Sequence, residues 1–496
     1  MASDGDQHKD PFQDPTAPSV GSSSSSAELH VERGAYLSLT NDSLLVHGSS
    51  SVQAIPYYNV LNARLNGLEI TIVHALPTSK KSVRPAYISY SLADKTASPA
   101  ATTWIERLLS LAYRGATRSK RLKVLINPHG GPGLAPKLYA KDAEPIFKAA
   151  GCEIEAMTTD YVGHAIDIAR TLDVDKFDAV VCCSGDGTPH EVFNGLAQQP
   201  RPRRALRKIA VTQIPGGSGN ALSLNVNGTN KPSLAALAIV KAVRTPIDLV
   251  SITQGQRRYF SCLSQAVGII AESDLDTEEY RWMGAHRFTY GFLVRMFGKT
   301  VYPAEVSILV EHGDKNAIRA AYKKARYNNA EGSEADVDRA REIHDDETEL
   351  PPSAYGTVND PLPADWSTTD MPDLGNFYVG NMVHMSPDTP FFSAALPNDG
   401  LMDLTMAKGT TSRTKLLKMM LDVADNRLFN HDILDYRKVK AYRISPRLRP
   451  GQKEGFISID GEKVEFTPFQ AEVVHSLGTV LSAAGKVYHC DGPRDS

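Results

Sequence analysis

The fold of this chain is decided by the stretch Phe177-Asp-Ala-Val-Val-Cys-Cys-Ser-Gly-Asp-Gly-Thr-Pro-His-Glu191. An apolar run from Ala179 to Cys183 leads through a turn with two glycines into a helical pattern from Val192 to Gln198. An apolar run without polar alternation is typical of a strand buried on both faces, as in parallel sheets. The stretch therefore predicts one strand–turn–helix unit of an α/β domain.

The same unit repeats on both sides of this stretch. The predicted strands are Leu122 to Ile126, Cys152 to Met157, Ala179 to Cys183, Ile209 to Ile214 and Ile247 to Ile252. Because helical patterns separate these strands, we expect a doubly wound parallel sheet over residues 120–255. Ligands bind such sheets at the carboxyl ends of the strands, where this chain places its glycine-rich turns.

Residues 256–490 follow a different pattern, in which polar and apolar residues alternate in short segments. These segments are 304–310, 376–379, 401–406, 439–444, 456–459 and 464–466. Alternation with a period of two predicts an antiparallel β-sandwich lobe. An insertion at about 313–374, with an acidic stretch from Glu331 to Glu349, is expected to be a solvated loop.

The amino-terminal part predicts a tail and a small module. Residues 1–33 are rich in Pro and Ser and hold too little apolar surface to offset the entropy of ordering, so a disordered tail is expected. Residues 34–115 predict a β-rich module closed by a helix from Thr103 to Tyr113. This pattern resembles a pleckstrin-homology-type barrel, and extra strands packed on the next domain are an equal alternative.

Composition narrows the class of protein. The chain has 496 residues, with 54 basic and 57 acidic side chains, a formal charge of −3 and five scattered cysteines. This balance argues against a dedicated nucleic-acid partner, and the cysteine spacing argues against a disulfide framework or a zinc site. The first residues lack the apolar core of a secretory signal, and no run approaches the length of a membrane span. We therefore expect a cytoplasmic protein that folds into several domains.

Asp186 is the first candidate for chemistry. The glycines on both sides of it permit close approach of a ligand, and the following helix offers N–H groups to a phosphate. A carboxylate beside an anion makes more sense as a general base or as an outer-sphere anchor for Mg²⁺ than as a phosphate ligand. Thr188, Pro189 and Glu191 predict a capping box, so Glu191 has a structural explanation and Asp186 has none.

Two further glycine-rich turns follow predicted strands of the same sheet. They are Asn127-Pro-His-Gly-Gly-Pro-Gly133 and Pro215-Gly-Gly-Ser-Gly-Asn220. Three such turns at one edge predict a wall of backbone N–H groups that binds phosphate. Neither the Walker A pattern nor the dinucleotide fingerprint GxGxxG is present.

Together these motifs closely resemble the diacylglycerol-kinase-type catalytic domain of lipid kinases, in its sphingosine (long-chain-base) kinase branch. The resemblance spans about 121–488 and includes Asn398-Asp-Gly-Leu-Met-Asp403 and Asp460-Gly-Glu462. The third loop, Gly217-Ser-Gly-Asn-Ala-Leu222, is similar to the sphingosine kinase form. The alternatives are a ceramide or diacylglycerol kinase of the same fold, or a catalytically inactive lipid-binding regulatory protein.

The resemblance implies transfer of the γ-phosphoryl group of ATP, with Mg²⁺, to the primary hydroxyl of a sphingoid base. Asp186 would accept the hydroxyl proton, and Asp274 would bind the cationic amine. Substrate contacts are expected at Ser184, Gly185, Asp186, Gly187 and Asp274, and no residue is assigned as a direct metal ligand. Nucleotide contacts are expected at Asn127, Pro128, His129, Gly130, Gly131, Thr159, Asp160, Tyr161, Val162, Gly163, Ser184, Gly185, Gly187, Glu191, Gly217, Ser218, Gly219, Arg281, Arg287, Asp460, Gly461 and Glu462.

Some features stay open at this point. Asp460-Gly461 also fits a two-residue hairpin turn. Pro132 stands where many relatives have Lys, which removes a cation near the phosphates, and Lys137 is a candidate to compensate. Because the substrate is a lipid, transient contact with intracellular or plasma membranes is expected, through Arg201 to Lys208, Lys415 to Phe429 or the amino-terminal module. Nothing in the sequence indicates an oligomeric state.

Overall fold

A computed structural model describes residues 28–48, 51–275, 300–331, 348–387, 389–482 and 492–494. The chain divides into two compact units, residues 1–118 and residues 119–496. Among the described residues, no helix combines the length and the apolar character that crossing a membrane requires.

The first unit contains two antiparallel sheets and a carboxyl-terminal helix. Its strands are β1 (Glu28–His30), β2 (Tyr36–Leu39), β3 (Ser43–His47), β4 (Val52–Pro56), β5 (Val60–Asn66), β6 (Glu69–Ser79) and β7 (Ser82–Ser91), and its helix is α1 (Ser98–Tyr113). Strands β1 to β4 form one sheet and β5 to β7 the other. This division is compatible with the pleckstrin-homology-type arrangement, which stays a prediction. Residues 28–30, placed in the predicted tail, pair with β2.

The second unit begins with the parallel lobe, and the predicted α/β fold is confirmed there. Strands β8 (Arg121–Ile126), β9 (Glu153–Thr158), β10 (Ala179–Ser184) and β11 (Ala210–Pro215) run parallel in the order β9-β8-β10-β11. The helices of this lobe are α2 (Ala135–Leu138), α3 (Glu144–Ala149), α4 (His164–Arg170), α5 (Gly187–Leu196), α6 (Pro202–Lys208), α7 (Ala221–Asn227) and α8 (Pro232–Lys241). A π-helical turn at Tyr139–Ala143 joins α2 to α3.

The predicted fifth parallel strand is different. Strand β12 (Val243–Gln254) pairs antiparallel with β24 (Phe469–Ser482), and β24 also meets β11 in parallel, with Val211 opposite Val480. The end of the chain therefore returns to the first lobe and joins both lobes into one 15-stranded sheet. The strand pattern of β12 could not reveal this, because its partner lies more than two hundred residues away.

The antiparallel lobe contains the remaining elements, and the predicted β character of this region is confirmed. They are β13 (Arg257–Ser261), β14 (Ser264–Gly268), α9 (Ile269–Leu275), β15 (Ala304–His312), α10 (Lys315–Glu331), β16 (Ser367–Met371), β17 (Leu374–Gly380), β18 (His384–Ser386), β19 (Thr389–Pro390), β20 (Met402–Lys408), α11 (Arg413–Ala424), β21 (Asp435–Pro446), β22 (Ile457–Ile459) and β23 (Glu462–Val464). Phe377, Leu404, Tyr442 and Phe469 are fully buried in its core.

The insertion differs from the predicted solvated loop. Helix α10 buries Ile318 and Tyr322 in the cluster around Phe429, and Trp366 is buried at the other end of the insertion. Farther along, the buried carboxylate of Glu472 accepts hydrogen bonds from the backbone of residues 354 and 355. Much of the insertion therefore packs on the lobe, while the acidic residues 332–347 lie outside the described residues.

Candidate active site

The three glycine-rich loops meet at the carboxyl ends of β8, β10 and β11, as predicted. An ideal Cβ on Gly131 would lie 2.9 Å from the Cα of Gly217, and one on Gly217 would overlap the backbone of Gly185. No side chain fits between loops that are this close. The loops therefore present backbone at their contact, which is the surface that a phosphate chain needs.

The first loop is held by a local turn. The Asn127 carboxamide oxygen accepts hydrogen bonds from the backbone N–H groups of His129 (2.9 Å) and Gly130 (3.2 Å). Asn side chains stabilise turns in this way because they mimic a backbone carbonyl. In turn, the backbone N–H of Asn127 donates to the carbonyl of Cys183, which ties the first loop to the end of β10.

Asp186 lies half-buried at the amino end of α7. Its carboxylate accepts hydrogen bonds from the backbone N–H groups of Ala221 (2.9 Å) and Leu222 (3.1 Å). A Cβ on Gly219 would approach Asp186 Oδ2 to 2.7 Å, so the third loop needs its last glycine to admit the carboxylate. Asp186 thus also has a structural role, contrary to the sequence interpretation, because it satisfies the free N–H groups of a helix that is distant in sequence.

Burial raises the pKa of Asp186 above that of an ordinary aspartate, although hydrogen bonds from Ala221 and Leu222 act in the opposite direction. A carboxylate with a raised pKa binds a proton more readily than a solvated one. Asp186 also stands at the amino end of α5, where the helix dipole favours an anion such as phosphate. This combination suits proton transfer next to a phosphoryl group.

Glu191 does not form the predicted capping box. Helix α5 begins at Gly187, so Thr188 lies inside the first turn and Asp186 occupies the cap position. The Glu191 carboxylate instead accepts hydrogen bonds from the backbone N–H groups of Gly163 (3.0 Å) and Ala165 (3.1 Å). It therefore anchors the segment at the start of α4, which carries predicted nucleotide contacts.

That segment, residues 159–163, exposes two large side chains. Val162 is 94% exposed and Tyr161 is 55% exposed. The Tyr161 ring stacks on His164 with centroids 4.4 Å apart, and its hydroxyl donates to Asp167 at 2.9 Å. An exposed aromatic ring held in place in this way offers a surface on which a planar base can pack.

The second lobe contributes the turn between β22 and β23. Asp460 and Gly461 both have positive φ angles, of 52° and 85°, as the predicted two-residue hairpin turn requires. The fully buried Asp460 carboxylate accepts hydrogen bonds from three consecutive N–H groups, of residues 262–264, and from Ser261 Oγ. The turn is therefore fixed to the loop between β13 and β14.

His190 links this turn to the first lobe. Its Nδ1 lies 2.9 Å from Asp460 Oδ2; the Asp460 side chain is fully buried, and that of His190 is 14% exposed. Burial alone would raise the pKa of Asp460, yet the hydrogen bonds from His190 and Ser261 hold it below its usual range. Burial alone would lower the pKa of His190, whereas the Asp460 carboxylate raises it. The sequence interpretation missed His190, although this residue stands next to Glu191 in the motif.

Glu462 and Asp274 also converge on the second loop and the hairpin turn. The Glu462 carboxylate lies so close to Gly187 that a Cβ there would overlap it. Asp274, in α9, accepts a hydrogen bond from Ser458 Oγ at 3.1 Å, and its Oδ2 lies 3.9 Å from an ideal Cβ on Gly461. The predicted Arg281 and Arg287 lie outside the described residues.

The described residues contain no group of three His, Cys, Asp or Glu side chains that could hold a metal ion by themselves. Magnesium in phosphoryl-transfer enzymes typically keeps several waters and uses one or two carboxylates together with phosphate oxygens. Asp186 and Glu462, next to the glycine cradle around Gly187, are a donor set of that kind. These residues would fit a magnesium–nucleotide pair.

Comparisons with known proteins identify the relatives of this chain. Residues 121–252 match the family model of the diacylglycerol kinase catalytic domain, and residues 47–114 match a domain of unknown function, DUF7493. A diacylglycerol kinase structure from Bacillus anthracis is 18% identical, with a TM-score of 0.48, and covers 74% of this chain and 98% of its own.

Two fungal relatives are more similar in sequence. Sphingoid long chain base kinase 5 of Saccharomyces cerevisiae is 34% identical over 78% of this chain, which spans 63% of that protein's length. Sphingoid long chain base kinase 4 of Schizosaccharomyces pombe is 32% identical over 83% of this chain and 91% of its own length. The chain therefore belongs to the family of sphingoid long-chain base kinases.

Proposed function

We propose that this protein transfers the γ-phosphoryl group of ATP to the primary hydroxyl of a sphingoid long-chain base, giving the base 1-phosphate. The substrate class comprises sphingosine, sphinganine and phytosphingosine. The observation that carries the proposal is the position of Asp186, which stands at the meeting point of three glycine-rich loops. Family membership supplies the type of reaction.

Asp186 accepts the proton of the attacking hydroxyl. Phosphoryl transfer depends mainly on positioning and charge stabilisation, so the chain's task is to align the hydroxyl and to hold the phosphates. The backbone N–H groups of the loops and the amino end of α5 face the developing negative charge. Because burial raises the pKa of Asp186, activity falls on the acid side at a pH above the ordinary aspartate pKa.

The nucleotide occupies the side of the cradle formed by the first loop and residues 159–163. Glu191 keeps that segment in place through its two backbone hydrogen bonds. Glu462 would hold a bound Mg²⁺, with Asp186 as an outer-sphere anchor that keeps its carboxylate available for the proton, and the ion would supply neutralisation of phosphate charge. Titration with EDTA, followed by Mg²⁺ or Ca²⁺, tests whether the reaction needs a divalent ion, and full activity in EDTA would contradict that requirement.

Asp274 selects for a base with a free amine. Its carboxylate can pair with an ammonium group, whereas ceramide and diacylglycerol offer no cation in that position. Ser458 Oγ donates to this carboxylate at 3.1 Å and orients it beside the hairpin turn of the active site. Asp274→Asn therefore raises the KM for the base more than the KM for ATP, and equal effects on both would contradict this role.

The lipid substrate also requires contact with a membrane surface. Helix α11 exposes Leu417 (43%) and Leu421 (69%) one turn apart, with Lys415 and Lys418 beside them. Apolar side chains flanked by lysines suit an anionic leaflet. We place the protein in the cytoplasm, in peripheral contact with intracellular or plasma membranes. Sedimentation with phosphatidylserine vesicles tests this, since Leu421→Glu reduces binding if α11 is the contact.

The central experiment is a substrate panel. The purified protein is incubated with labelled ATP, Mg²⁺ and each of sphinganine, phytosphingosine, ceramide and diacylglycerol. Asp186→Asn lowers the rate by about 10²–10⁴-fold, the usual contribution of general base catalysis. Asp175→Asn is the matched control, because Asp175 is an exposed aspartate of the same lobe.

Each outcome of the panel has a defined meaning. Label on sphinganine or phytosphingosine, lost in Asp186→Asn and kept in Asp175→Asn, supports the proposal. Label only on ceramide or diacylglycerol would assign the chain to another substrate class of the same fold. No label on any lipid would favour a regulatory lipid-binding protein without catalysis.

A further inference from the structure

Three neighbouring strands of the second lobe place polar side chains on one face of the sheet. Strand β14 lies between β17 and β22, and Ala266 of β14 stands opposite both Tyr378 and Ser458. Directly opposite residues of antiparallel strands point to the same face, and so do residues two apart in one strand. Tyr378, Ser458 and Ser264 therefore share a face, with the small side chain of Ala266 between them.

The proposed amine-binding carboxylate lies on this face. Ser458 Oγ donates to Asp274 Oδ2 at 3.1 Å, and Tyr378 OH donates to Ser264 Oγ at 3.3 Å. The backbone N–H of Ser264 also donates to Asp460, which connects the face to the hairpin turn of the active site. Hydroxyl groups and a carboxylate thus stand together beside the predicted phosphoryl-transfer centre.

The hydroxyl of Tyr378 is not needed for packing. Its ring is 7% exposed and packs against Phe391 and Phe392, with centroids 4.9 Å and 4.8 Å away, which a phenylalanine could do equally well. A buried hydroxyl costs free energy unless it is hydrogen-bonded, and 3.3 Å is long for a bond between two oxygens. The two hydroxyls retain capacity to bind a further hydroxyl group.

The Tyr378 hydroxyl is one residue away from the hairpin turn of the active site, because its partner Ser264 also donates to Asp460. Burial is the main cause of its raised pKa, and the hydrogen bond to Ser264 acts against it. The negative charges of Asp274, Asp460 and Asp186 raise this pKa further. Tyr378 therefore stands at a junction, with charged groups on one side and the Phe391–Phe392 pair on the other.

The groups of a sphingoid base follow the same order as the surroundings of Tyr378, with charged and polar groups first and an apolar part after them. Its amine and primary hydroxyl lie at one end, and an alkyl chain begins a few bonds away. In bases with two hydroxyls, carbon 4 is already apolar, whereas in phytosphingosine it carries a third hydroxyl. The bases therefore differ in whether carbon 4 carries a hydroxyl, and Tyr378 stands where the polar end of the base would give way to its alkyl chain.

We infer that Tyr378, together with Ser264, binds the hydroxyl on carbon 4 and makes this kinase favour trihydroxy over dihydroxy bases. This inference rests on the proposed function, because it assumes that the amine of the base pairs with Asp274. It assigns Tyr378 a role in specificity that the sequence interpretation did not.

The test compares sphinganine with phytosphingosine of the same chain length, using the full chain, ATP and Mg²⁺. Tyr378→Phe lowers kcat/KM for phytosphingosine about tenfold and for sphinganine less than about threefold, since one hydrogen bond to substrate is lost in the first case only. Tyr442→Phe is the matched control. This buried tyrosine also donates a side-chain hydrogen bond, to Gln265, and lies on the opposite face of the same sheet.

The outcomes separate this inference from the proposed function. If Tyr378→Phe lowers both substrates equally or changes neither, the subsite is overturned, while phosphorylation of sphinganine by the unaltered chain leaves the proposed function intact. If the unaltered chain phosphorylates neither base, the proposed function itself fails. Should Tyr378→Phe not fold, Ser264→Ala makes the same test, because it removes the partner hydroxyl.

Discussion

Two turns of this molecule are similar in sequence but differ in the number of hydrogen bonds that their aspartates accept. Each follows a buried strand and contains an aspartate followed by glycine, at Asp186 in the first lobe and at Asp460 in the second. The Asp186 carboxylate accepts hydrogen bonds from two backbone N–H groups. The Asp460 carboxylate has five donors, namely His190, Ser261 and three consecutive backbone N–H groups.

This difference sets the charge behaviour of the two groups in opposite directions. Burial raises the pKa of Asp186, and its hydrogen bonds do not fully compensate. At Asp460 burial acts in the same sense, but His190 and the other donors overcome it and hold the pKa below its usual range. A carboxylate with every acceptor site occupied holds structure, whereas one with spare capacity can take a proton from a substrate.

The largest expected effect is on stability at Asp460. Asp460→Asn replaces an acceptor of five hydrogen bonds with an amide that points N–H groups at other donors. It also leaves His190 without its charged partner, so we expect a loss of about 3–5 kcal/mol in the free energy of unfolding. Urea denaturation at neutral pH measures this loss.

Asp186→Asn is the matched control for that measurement. Asparagine can still accept one of the two hydrogen bonds at the start of α7, so the expected cost is that of a weakened helix cap, about 1 kcal/mol. Activity, in contrast, is lost. Equal destabilisation by the two substitutions would remove the distinction between a structural and a reactive aspartate.

The second prediction concerns the glycines that let Asp186 stand among the loops. Gly217→Ala places a Cβ on top of the backbone of Gly185, so the second and third loops must move apart. Displacing a catalytic group by about 1 Å can cost about 10²-fold, and we expect a loss of that size in kcat/KM. Steady-state kinetics measure it.

Gly313→Ala is the control for this steric argument. The nearest atom to a Cβ at Gly313 is Val310 Cγ1, at an ordinary 3.6 Å. This variant should keep wild-type kinetics. Activity of Gly217→Ala within a few-fold of wild type would mean that the loops are not held as closely as the structure places them.

The sequence predicts those features that are encoded by residues close together in the chain. Strands β8 to β11 and the glycine-rich loops after them are encoded by residues adjacent in the chain, and parallel strands bring those loops to one edge. The hairpin at Asp460-Gly461 is also predictable, because Asp-Gly is a preferred pair for the type I′ turn, in which both central residues have positive φ angles. In each case the signal and the structure lie within about ten residues.

Long-range contacts explain what was missed. Glu191 fits a capping box by spacing, yet its carboxylate goes to Gly163 and Ala165, on a helix packed beside α5. The insertion of β24 beside β11 and the pairing of His190 with Asp460 likewise join residues far apart in sequence. A pattern of residue types carries no information about such partners, because many positions could supply the same chemistry.

The third prediction tests the link between the two turns through pH. His190→Gln keeps an N–H donor for Asp460 but cannot carry charge. Hydrogen bonds to a charged pair are worth roughly 1 kcal/mol more than neutral ones, so the variant should be less stable by about that amount at pH 6.

The sign of the pH effect follows from the raised pKa of His190. A histidine that binds its proton more tightly when folded stabilises fully below the pKa of the unfolded state, and this contribution disappears as pH rises through the folded pKa. The gap between wild type and His190→Gln should therefore shrink from pH 6 upward. A gap that stays constant or widens would show that His190 is neutral in the folded protein.

The smallest expected effect comes from a second histidine–aspartate pair, His475 with Asp248. The geometry is the same, with Nδ1 2.9 Å from the carboxylate, but the His475 side chain is 60% exposed whereas His190 is 14% exposed. The hydrogen bond that His475 donates to Asp248 is the main cause of the raised pKa of His475, so the sign of the pH effect is unchanged. Solvent weakens the pair, and Asp248 keeps its backbone donors at Gly400 and Ser476.

We expect His475→Gln to lower the free energy of unfolding by less than about 1 kcal/mol at pH 6 and to leave kinase activity intact. Denaturation curves of the two histidine variants, recorded side by side, measure the difference. A cost at His475 equal to that at His190 would mean that burial does not decide the strength of these pairs.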